Sequence, residues 1–405
     1  MTGAEALGFS SARLARIDRF LQEQYIETGR FAGTQLLISR RGELVHQSVL
    51  GLADRERNVP LREDTIFRLY SMTKPITSVA FMMLVEEGRV TLNDPVHAYI
   101  PSWRDLGVFV SGVPGAFQTK RPAAAMRIVD LLRHTSGLTY GFQMRSNVDA
   151  AYRQLDIGGS ESRLSIDRMI ELLATVPLEY SPGEAWCYSI STDVLGYLIG
   201  IISGTPFEQF LRTRVLEPLG MNDTDFYVPE AGHARLAACY VMDQAGRAVL
   251  YDDPATSRFR APFHFVSGGG GLAGTASDYL KFCRMLLNGG AADGYRFLGP
   301  KTVQLMAMNH LPGGKELTEL SRSMYSESVY SGLGFGLGFA VVVDRAKTMT
   351  PGNAGEYFWG GSASTAFWID PRDELAVVFL TQLIPSSAWP IRQQLRALVY
   401  AAMEV

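Results

Sequence analysis

The sequence predicts an α+β fold in which strands from both ends of the chain form one antiparallel sheet, flanked by an N-terminal and a C-terminal helix. Residues 34–39 and 43–50 read as two strands joined by a tight turn, which is typical of a hairpin. Residues 366–369 and 375–380 read as a second strand pair. The long middle of the chain has helical periodicity, so we expect a mostly helical domain inserted between the two halves of the sheet domain.

The terminal elements follow from the spacing of apolar residues. Four apolar side chains within residues 14–21 recur at helical spacing, which predicts an amphipathic helix over residues 11–29. Near the other end, residues 334–343 read as one further strand, and residues 390–402 read as the C-terminal helix.

The middle of the chain is expected to form several helices. Their patterns cover residues 129–133, 166–174, 192–202, 207–216 and 276–287. Stretches rich in glycine and proline, such as 112–123 and 156–159, separate them. Residues 235–260 fit either short strands or a surface loop, and the polar, irregular residues 310–331 suggest a mobile lid or rim.

These elements divide the 405-residue chain into two interleaved domains. We expect residues 1–70 and 333–405 to form an α/β sheet domain, and residues 71–332 to form the inserted, mainly helical domain. The active-site cleft would lie where the two domains meet.

Composition excludes several classes of function. The chain is 47% hydrophobic and 20% charged, with a net charge of −3 and no basic block, so nothing points to nucleic acid or to an anionic membrane. The first eleven residues lack the features of a signal peptide, and no segment reaches the ~18 uninterrupted apolar residues of a membrane span. The prediction is a soluble, cytoplasmic protein without a membrane partner.

Neither a metal nor a cofactor is predicted. Cys187, Cys239 and Cys283 fit neither a zinc site nor a disulfide framework, and they suit a reducing compartment. The histidines show no metal-ligand spacing such as His-Glu-x-x-His. The glycine run 268–271 has neither Gly-x-Gly-x-x-Gly nor a Walker lysine, so we interpret it as a place where backbone packs tightly near the cleft.

Ser71-Met72-Thr73-Lys74 is the clearest catalytic signal in the chain. A serine and a lysine three residues apart share one helix face, so the hydroxyl and the amine can share a proton. Residues 76–84 carry an apolar stripe at helical spacing, and Pro75 is tolerated in a first turn, so the helix begins close to Ser71. The helix dipole then favours a developing alkoxide. The alternative is a helix-capping serine followed by a surface lysine.

Further motifs follow this pair along the chain. They are Leu132-Arg133-His134-Thr135-Ser136-Gly137-Leu138, then Pro182-Gly183-Glu184 leading into Tyr188-Ser189-Ile190, then the glycine run followed by Thr275-Ala276-Ser277-Asp278, and finally Trp359-Gly360-Gly361-Ser362. In this order, the set resembles the serine β-lactamase and penicillin-binding-protein fold group, closest to class C β-lactamases and family VIII carboxylesterases. The resemblance runs from about residue 10 to residue 400, and it implies a β-lactamase/transpeptidase-like fold.

The resemblance implies roles for the residues of the predicted site. Ser71 would be the acylated nucleophile, Lys74 the amine that helps to deprotonate it, and Tyr188 a phenol that takes part in proton transfer. Which of Lys74 and Tyr188 takes the first proton stays open. The backbone N–H groups of Ser71 and Ser362 would form an oxyanion hole. For Tyr188, the alternative is a core tyrosine with a satisfied hydroxyl.

One motif departs from the pattern of β-lactamases and D,D-peptidases, which have Lys-Thr-Gly where this chain has Trp359-Gly360-Gly361. The lost cation argues against obligate recognition of anionic substrates, and Ile190, where the family usually has asparagine, points the same way. Trp-Gly-Gly is itself a pattern of family VIII esterases. We expect Trp359, Gly360, Gly361 and Ile190 to bind substrate, with the glycines leaving the strand open to a ligand's approach. Strand packing is the alternative for Trp359.

The predicted function is a serine carboxylesterase that hydrolyses short-chain acyl esters through an acyl-enzyme on Ser71. The alternatives are a β-lactamase or D,D-peptidase, an acyltransferase to an alcohol acceptor, and a non-catalytic binding protein on this fold. No Gly-x-Ser-x-Gly elbow occurs in the chain, so the α/β-hydrolase route to an esterase is excluded.

The expected partner is a small-molecule ester, and the oligomeric state is left open between a monomer and a homo-oligomer. His134 is expected to be structural rather than catalytic. The cleft walls are expected around Phe142, Tyr152, residues 263–266 and residues 310–331.

Overall fold

The computed structural model describes residues 3–158, 162–322 and 330–404. Its centre is an eight-stranded sheet in which every paired neighbour is antiparallel. In spatial order the strands are Leu333–Phe335, Ala340–Val342, Tyr357–Gly360, Ala366–Asp370, Leu375–Leu380, Gly33–Arg40, Glu43–Asp54 and Val59–Pro60. The N-terminal strand Gly33–Arg40 pairs directly with Leu375–Leu380, so the predicted antiparallel sheet from both ends of the chain is confirmed.

Helices cover both faces of this sheet. Adjacent residues of one strand show this, because neighbouring side chains in a strand point to opposite faces. Phe367 contacts Tyr279 of the helix Ala276–Leu287, whereas the Trp368 ring lies 5.0 Å from the guanidinium of Arg396 in the C-terminal helix Ile391–Ala402. A sheet covered on both faces explains why the whole strand Gly33–Arg40 is buried.

The N-terminal helix packs against the C-terminal helix, and the sequence predicted both helices. It spans Ser11–Leu21 and continues as a π-helical turn over Gln22–Ile26. Leu14, Ile17 and Leu21 form its buried stripe. The Arg13 guanidinium donates a hydrogen bond to the Ala401 carbonyl oxygen over 2.6 Å, which ties the two ends of the chain together.

The remaining helices occupy the middle of the chain and one loop of the sheet. They span Thr73–Glu86, Ile128–Leu132, Asn147–Gln154, Ile166–Leu173, Ser191–Ser203, Phe207–Leu211, Pro300–Met306, Leu317–Leu320 and Arg345–Thr348, and Phe207–Leu211 continues as a π-helical turn over Arg212–Leu216. The central helix, Thr73–Glu86, is buried from Thr73 to Leu84 and packs on Ser191–Ser203. This contact positions the residues described below.

One prediction about strands was wrong. Residues 334–343 are a hairpin rather than one strand, because Gly336 N–H bonds to the Phe339 carbonyl and Gly338 takes a φ of +110°, which turns the chain. The stretch 112–123, predicted to separate helices, holds no α-helix, and most of it lies in a hairpin of Val108–Val113 and Ala116–Lys120.

Short strands, one of the two interpretations of residues 235–260, are what the structure shows. Cys239–Met242 and Ala248–Asp252 pair with each other, and Leu383–Ile384 adds a parallel neighbour. There are two further short pairs among the described residues: Phe67–Arg68 pairs with Ala273–Gly274, and Ala291–Ala292 pairs with Tyr295–Arg296.

The division into two domains stays a prediction. One hydrophobic cluster runs through both predicted domains, and the helix Ala276–Leu287 of the inserted segment covers the sheet. The expected lid at 310–331 also stays a prediction. Its described part holds the short helix Leu317–Leu320. The parts of these predictions that fall on residues 1–2, 159–161, 323–329 and 405 lie outside the described residues.

Among the described residues, no single helix is long and apolar enough to cross a membrane. One sharply bent pair, Ser191–Ser203 with Phe207–Leu216, reaches the required length and composition only when its two helices are taken together.

Candidate active site

Ser71 lies in a short 3₁₀ turn, Tyr70–Met72, immediately before the central helix. This turn brings the Lys74 amine within 3.2 Å of the Ser71 hydroxyl oxygen, to which it donates a hydrogen bond. Tyr70, the residue before the serine, takes a φ of +46°, a left-handed conformation that is uncommon for residues other than glycine. The sequence prediction that the helix begins close to Ser71 therefore agrees with the structure.

Leu272, at the end of the glycine run, holds this turn from both sides. The N–H of Leu69 donates to the Leu272 carbonyl over 2.9 Å, and the Leu272 N–H donates to the Thr73 hydroxyl over 3.1 Å. The glycine segment, defined here as residues 267–272, is thus fixed to the nucleophile turn before and after Ser71.

Tyr188 completes the group that the sequence predicted. Its hydroxyl donates to the Ser71 hydroxyl oxygen over 2.7 Å, and the Lys74 amine lies 4.5 Å from the centre of the Tyr188 ring. Gln143 donates from its side-chain amide to the Tyr188 carbonyl over 3.0 Å, which fixes the backbone of the tyrosine. Lys74 is 2% exposed and Tyr188 is 1% exposed, so the three groups meet in a site that is largely shielded from water.

Asp193 is part of this site, and the sequence reasoning missed it. Its carboxylate accepts hydrogen bonds from the Ser267 hydroxyl (2.6 Å) and from the Gly269 N–H (3.0 Å), while Lys74 donates to the Gly269 carbonyl over 2.7 Å. Burial raises the pKa of Asp193, and the positive charge of Lys74 opposes that shift. Asp193 therefore anchors the glycine segment and places a carboxylate opposite the amine.

His134 and Tyr140 surround the site without touching Ser71 in any hydrogen bond that the described residues show. Burial lowers the pKa of His134, and the charge of Lys74 lowers it further, so this histidine is neutral. Its ring packs 5.0 Å from Tyr188, and Nδ1 lies 3.2 Å from the Ser189 hydroxyl. Burial raises the pKa of Tyr140, whose ring stacks on Phe142 at 4.6 Å. The structural interpretation of His134 fits these contacts.

A cleft of about 420 Å³ opens beside Ser71. Polar residues of the site lie within its lining, namely Ser71, Lys74, Tyr188, Asp193 and Ser362. Its walls are mostly aromatic and include Tyr140, Phe142, Tyr251, Phe263 and Phe265, with Arg258 as a charged member. The expected wall residues Phe142, Phe263 and Phe265 are thus in place. Tyr152 is not, since it is 1% exposed in the hydrophobic core.

None of the four residues expected to bind substrate is in the described lining of the cleft, and their substrate-binding role stays a prediction. Trp359 packs its ring 5.5 Å from Tyr188 and 5.4 Å from Phe335, which is the packing role given above as its alternative. With Gly360 it lines a different cavity, of about 540 Å³, against the C-terminal helix.

The two glycines and Ile190 are explained by packing within the protein. A Cβ on Gly360 would meet the Arg392 guanidinium, and one on Gly361 would meet the Leu69 carbonyl oxygen. Glycine at these two positions therefore leaves room for Arg392 and the Leu69 backbone to pack closely. Ile190 is fully buried and lies directly against Gly158, which lines the cleft. Its methyl groups support the wall from behind.

No group of three or more histidine, cysteine, aspartate or glutamate side chains that could hold a metal ion occurs among the described residues. The chemistry that the described site offers is a serine hydroxyl joined to an amine and a phenol. This combination suits acyl transfer, because the hydroxyl needs a neighbouring base to become a nucleophile.

Comparisons with known proteins identify the family of this chain. A family model described as Beta-lactamase matches residues 17–401, and the chain belongs to this family. Esterase EstB from Burkholderia gladioli is 32% identical over 98% of this chain and 97% of its own length. Protein Rv1367c from Mycobacterium tuberculosis is 36% identical over 89% of this chain and 88% of its own length.

Solved structures give the same result. EstCE1, described as a hydrolase with promiscuous acyltransferase activity, superposes with a TM-score of 0.80 at 29% identity, covering 96% of this chain and 99% of that one. Simvastatin synthase (LovD) from Aspergillus terreus, at 23% identity and a TM-score of 0.79, shares the fold over 96% of this chain and 98% of its own. The predicted fold and family resemblance are confirmed, and the chain is a serine hydrolase of the carboxylesterase-like kind.

Proposed function

We propose that the chain hydrolyses short-chain acyl esters through an acyl-enzyme on Ser71. The observation that carries the proposal is the convergence of the Tyr188 hydroxyl (2.7 Å) and the Lys74 amine (3.2 Å) on the Ser71 hydroxyl oxygen. The likeness to esterase EstB over nearly the whole chain supports the ester as substrate. The mostly aromatic walls of a cleft of about 420 Å³ suit a small acyl group.

The geometry constrains the first proton transfer. Both bonds to Ser71 place its oxygen as the acceptor, so one of them must reverse before the serine can lose its proton. Either Tyr188 or Lys74 must therefore be deprotonated when the ester carbonyl is attacked. A phenolate on Tyr188 would be stabilised by the Lys74 ammonium beside its ring, and a neutral Lys74 would act directly. The proposal leaves this choice open.

The remaining steps follow from the same residues. Ser71 and Ser362 both line the cleft, and their backbone N–H groups would hold the negative oxygen of the tetrahedral intermediate. The leaving alkoxide takes the proton that Ser71 gave up, and the alcohol departs. Water then attacks the acyl carbon and gives a proton to the same base. The bond between the acyl carbon and Ser71 Oγ breaks, Ser71 takes this proton back, and the carboxylic acid departs.

The proposal is tested with 4-nitrophenyl acetate and 4-nitrophenyl butyrate. We expect the wild-type protein to hydrolyse both, and Ser71→Ala to lose the activity while keeping its fold by circular dichroism. Labelling with a fluorophosphonate and locating the adduct by mass spectrometry should find it on Ser71. Full turnover by Ser71→Ala, or an adduct on another serine, would contradict the proposal.

A second candidate is acyl transfer to an alcohol, which the likeness to EstCE1 favours. It differs only in whether an alcohol or water reaches the acyl-enzyme. Product analysis with vinyl butyrate and 1-butanol in water separates the two, because a transferase gives butyl butyrate where a pure hydrolase gives butyric acid. The β-lactamase alternative predicts nitrocefin turnover at a rate comparable to ester turnover.

We also propose that the protein works in the cytoplasm. Its three cysteines are unpaired as disulfides and buried, and burial raises the pKa of the Cys187 and Cys239 thiols to about 11. Buried, protonated thiols suit a reducing compartment. Cell fractionation should find the ester-hydrolysing activity with the soluble cytoplasmic markers, and recovery with an exported fraction would contradict this.

A further inference from the structure

A second cavity, of about 570 Å³, lies away from the Ser71 cleft, and the described linings of the two have no residue in common. It opens where the C-terminal end of the helix Ala276–Leu287 meets two turns of the large sheet, at residues 41–42 and 371–374. Part of its described lining is apolar, namely Leu219, Met285, Leu287, Ala291, Ala292 and Pro371. The ester reaction uses none of these residues.

Three basic side chains occur in the described lining of this cavity, and two of them are already paired. The Arg41 guanidinium lies 3.2 Å from the Glu374 carboxylate. The Lys281 amine lies 3.0 Å from the Asp278 carboxylate. The third is Arg284, for which the described part of the chain provides no ion pair. Arg284 is therefore the cation of this lining that a ligand can neutralise.

Arg284 is anchored on the sheet instead of extending into solvent. It is half-buried in the last turn of the helix, and its Nε donates a hydrogen bond to the Ser39 hydroxyl over 2.9 Å. Ser39 is fully buried in the strand Gly33–Arg40. A cation in the last turn is favourable for the helix dipole, but the dipole does not require the side chain to bond inward to a buried hydroxyl.

The two terminal nitrogens of Arg284 remain open. Within the residues that the structure describes, Nη1 and Nη2 make no hydrogen bond, and neither is among the enclosed, unpartnered polar atoms. Burial lowers the pKa of Arg284, and the charge of Glu43 opposes this shift without forming an ion pair with it. Asp293, the other acidic residue of the described lining besides Glu374, is exposed and makes no ion pair with Arg284. A half-desolvated guanidinium thus borders the cavity with its outer edge unpaired.

We propose that this cavity is a second binding site, which takes a small carboxylic acid with an apolar body and binds its carboxylate at Arg284. The outer edge of a guanidinium donates two parallel N–H groups, and these match the two oxygens of a carboxylate. The neighbouring apolar side chains suit a short hydrocarbon chain. Phosphate is less suitable, because one unpaired cation does not balance its two charges. The site does not depend on the proposed esterase function.

Fluorine NMR titrations with 4,4,4-trifluorobutyrate test the proposal, and the neutral 4,4,4-trifluorobutyramide is the comparison of matched length. The wild-type protein should bind the acid more tightly than the amide. Arg284→Gln should weaken binding of the acid about tenfold, the size expected for one charge-assisted interaction, and leave the amide unchanged. Arg284→Lys should give an intermediate affinity, because it keeps the charge without the planar edge. Added salt should weaken binding of the acid to the wild type.

Two further variants distinguish a built cavity from a surface charge. Ala292→Trp places a large ring in the lining while every charged group stays, so it should exclude the acid. It also decides the matter if Arg284→Gln does not fold. Arg212→Gln is the matched control, since Arg212 is likewise half-buried but pairs with Asp225 at 2.8 Å and lies outside the described lining. It should bind the acid like the wild type.

Three results would overturn the proposal. The first is that the wild-type protein does not bind the acid. The second is equal affinity of wild type and Arg284→Gln, or of wild type and Ala292→Trp, which is also what binding confined to the Ser71 cleft would give. The third is displacement of the acid by inorganic phosphate at equal concentration, which would contradict the assigned ligand class. Because the titration measures no turnover, its outcome is independent of whether the protein hydrolyses esters.

Discussion

The two sides of the Tyr188 side chain differ in how they are held and in what a substitution there can change. On one side, its hydroxyl and the Lys74 amine meet Ser71 through directional hydrogen bonds in a cleft. On the other side, Trp359 and His134 pack against its ring. We expect changes on the first side to alter the chemical step and changes on the second side to alter stability. The same tyrosine therefore belongs to the site and to the core.

The largest expected effect follows from Tyr188→Phe. This substitution removes the hydroxyl that bonds to Ser71 and keeps the ring that packs on the second side. We expect kcat for 4-nitrophenyl butyrate to fall by about 10²–10⁴-fold, the usual range for loss of a general acid or base, with little change in Tm. Tyr140→Phe, at another buried tyrosine of the cleft, is the control and should lose less than about tenfold. Equal losses in the two variants would mean that Tyr188 has no special role.

Asp193→Asn should have a smaller effect on the same side. Asparagine can still accept from Ser267 and Gly269, but it no longer places a negative charge opposite Lys74. We expect kcat to fall about tenfold with KM within about twofold. The acid limb of the kcat–pH profile should move to lower pH, because a lysine without a facing carboxylate releases its proton more readily.

Asp149→Asn is the control for this experiment. Asp149 is also fully buried, but its carboxylate accepts from the Thr139 hydroxyl (2.6 Å) and the Arg145 N–H (2.8 Å) instead of facing Lys74. It should lower stability and leave the pH profile in place. An unchanged acid limb in Asp193→Asn would show that Asp193 only holds the glycine segment.

Trp359→Phe tests the packing side. The smaller ring leaves a gap beside Tyr188 and Phe335, so we expect a loss of about 1–3 kcal/mol in the free energy of unfolding, measured by urea denaturation. Activity should fall by less than about tenfold, and KM should be similar for acetate and butyrate esters. A KM change that grows with acyl-chain length would instead support the predicted substrate-binding role of Trp359.

The smallest expected effect concerns His134 and pH. Burial holds its pKa well below the usual value, so the unfolded chain binds a proton in a range where the native protein does not. Stability from this residue is therefore present above pH ~6.5, the ordinary histidine pKa, and is lost as pH falls below it, by up to about 1.4 kcal/mol per pH unit. His134→Gln should flatten this slope in urea titrations between pH 5 and 7. Burial also lowers the pKa of His310, so the slope of stability against pH should be compared between His134→Gln and His310→Gln.

The sheet and the pair formed by Ser71 and Lys74 could be predicted because their sequence signals are local. Buried strands are short apolar runs, and Ser71 with Lys74 needs only one helical turn. The family motif then supplied Tyr188. By contrast, residues 334–343 read as one continuous strand although Gly338 turns the chain back on itself. Whether a short apolar run is one strand or two depends on backbone angles that the residue pattern does not show.

The structural roles of Trp359 and Asp193 could not be predicted from local sequence patterns. Trp359 lies on a strand, and the face to which its side chain points depends on how the sheet sits against the cleft. Asp193 occupies the first turn of the helix Ser191–Ser203, where an acid is commonly favourable for the helix dipole alone. An acidic residue that opens an otherwise apolar helix was the available signal, and its partners Ser267 and Gly269 are more than seventy positions away.

The glycine segment links the size of the acyl group to the rate of its transfer. Phe263 and Phe265 of the cleft wall lie four and two positions before its first residue, and the segment in turn holds the Lys74 amine at Gly269 and both flanks of the Ser71 turn at Leu272. An acyl chain too bulky for the wall would press on Phe265, and the displacement would reach the amine and the nucleophile together. Poor substrates would then be bound and turned over slowly, so discrimination by chain length would appear in kcat as well as in KM.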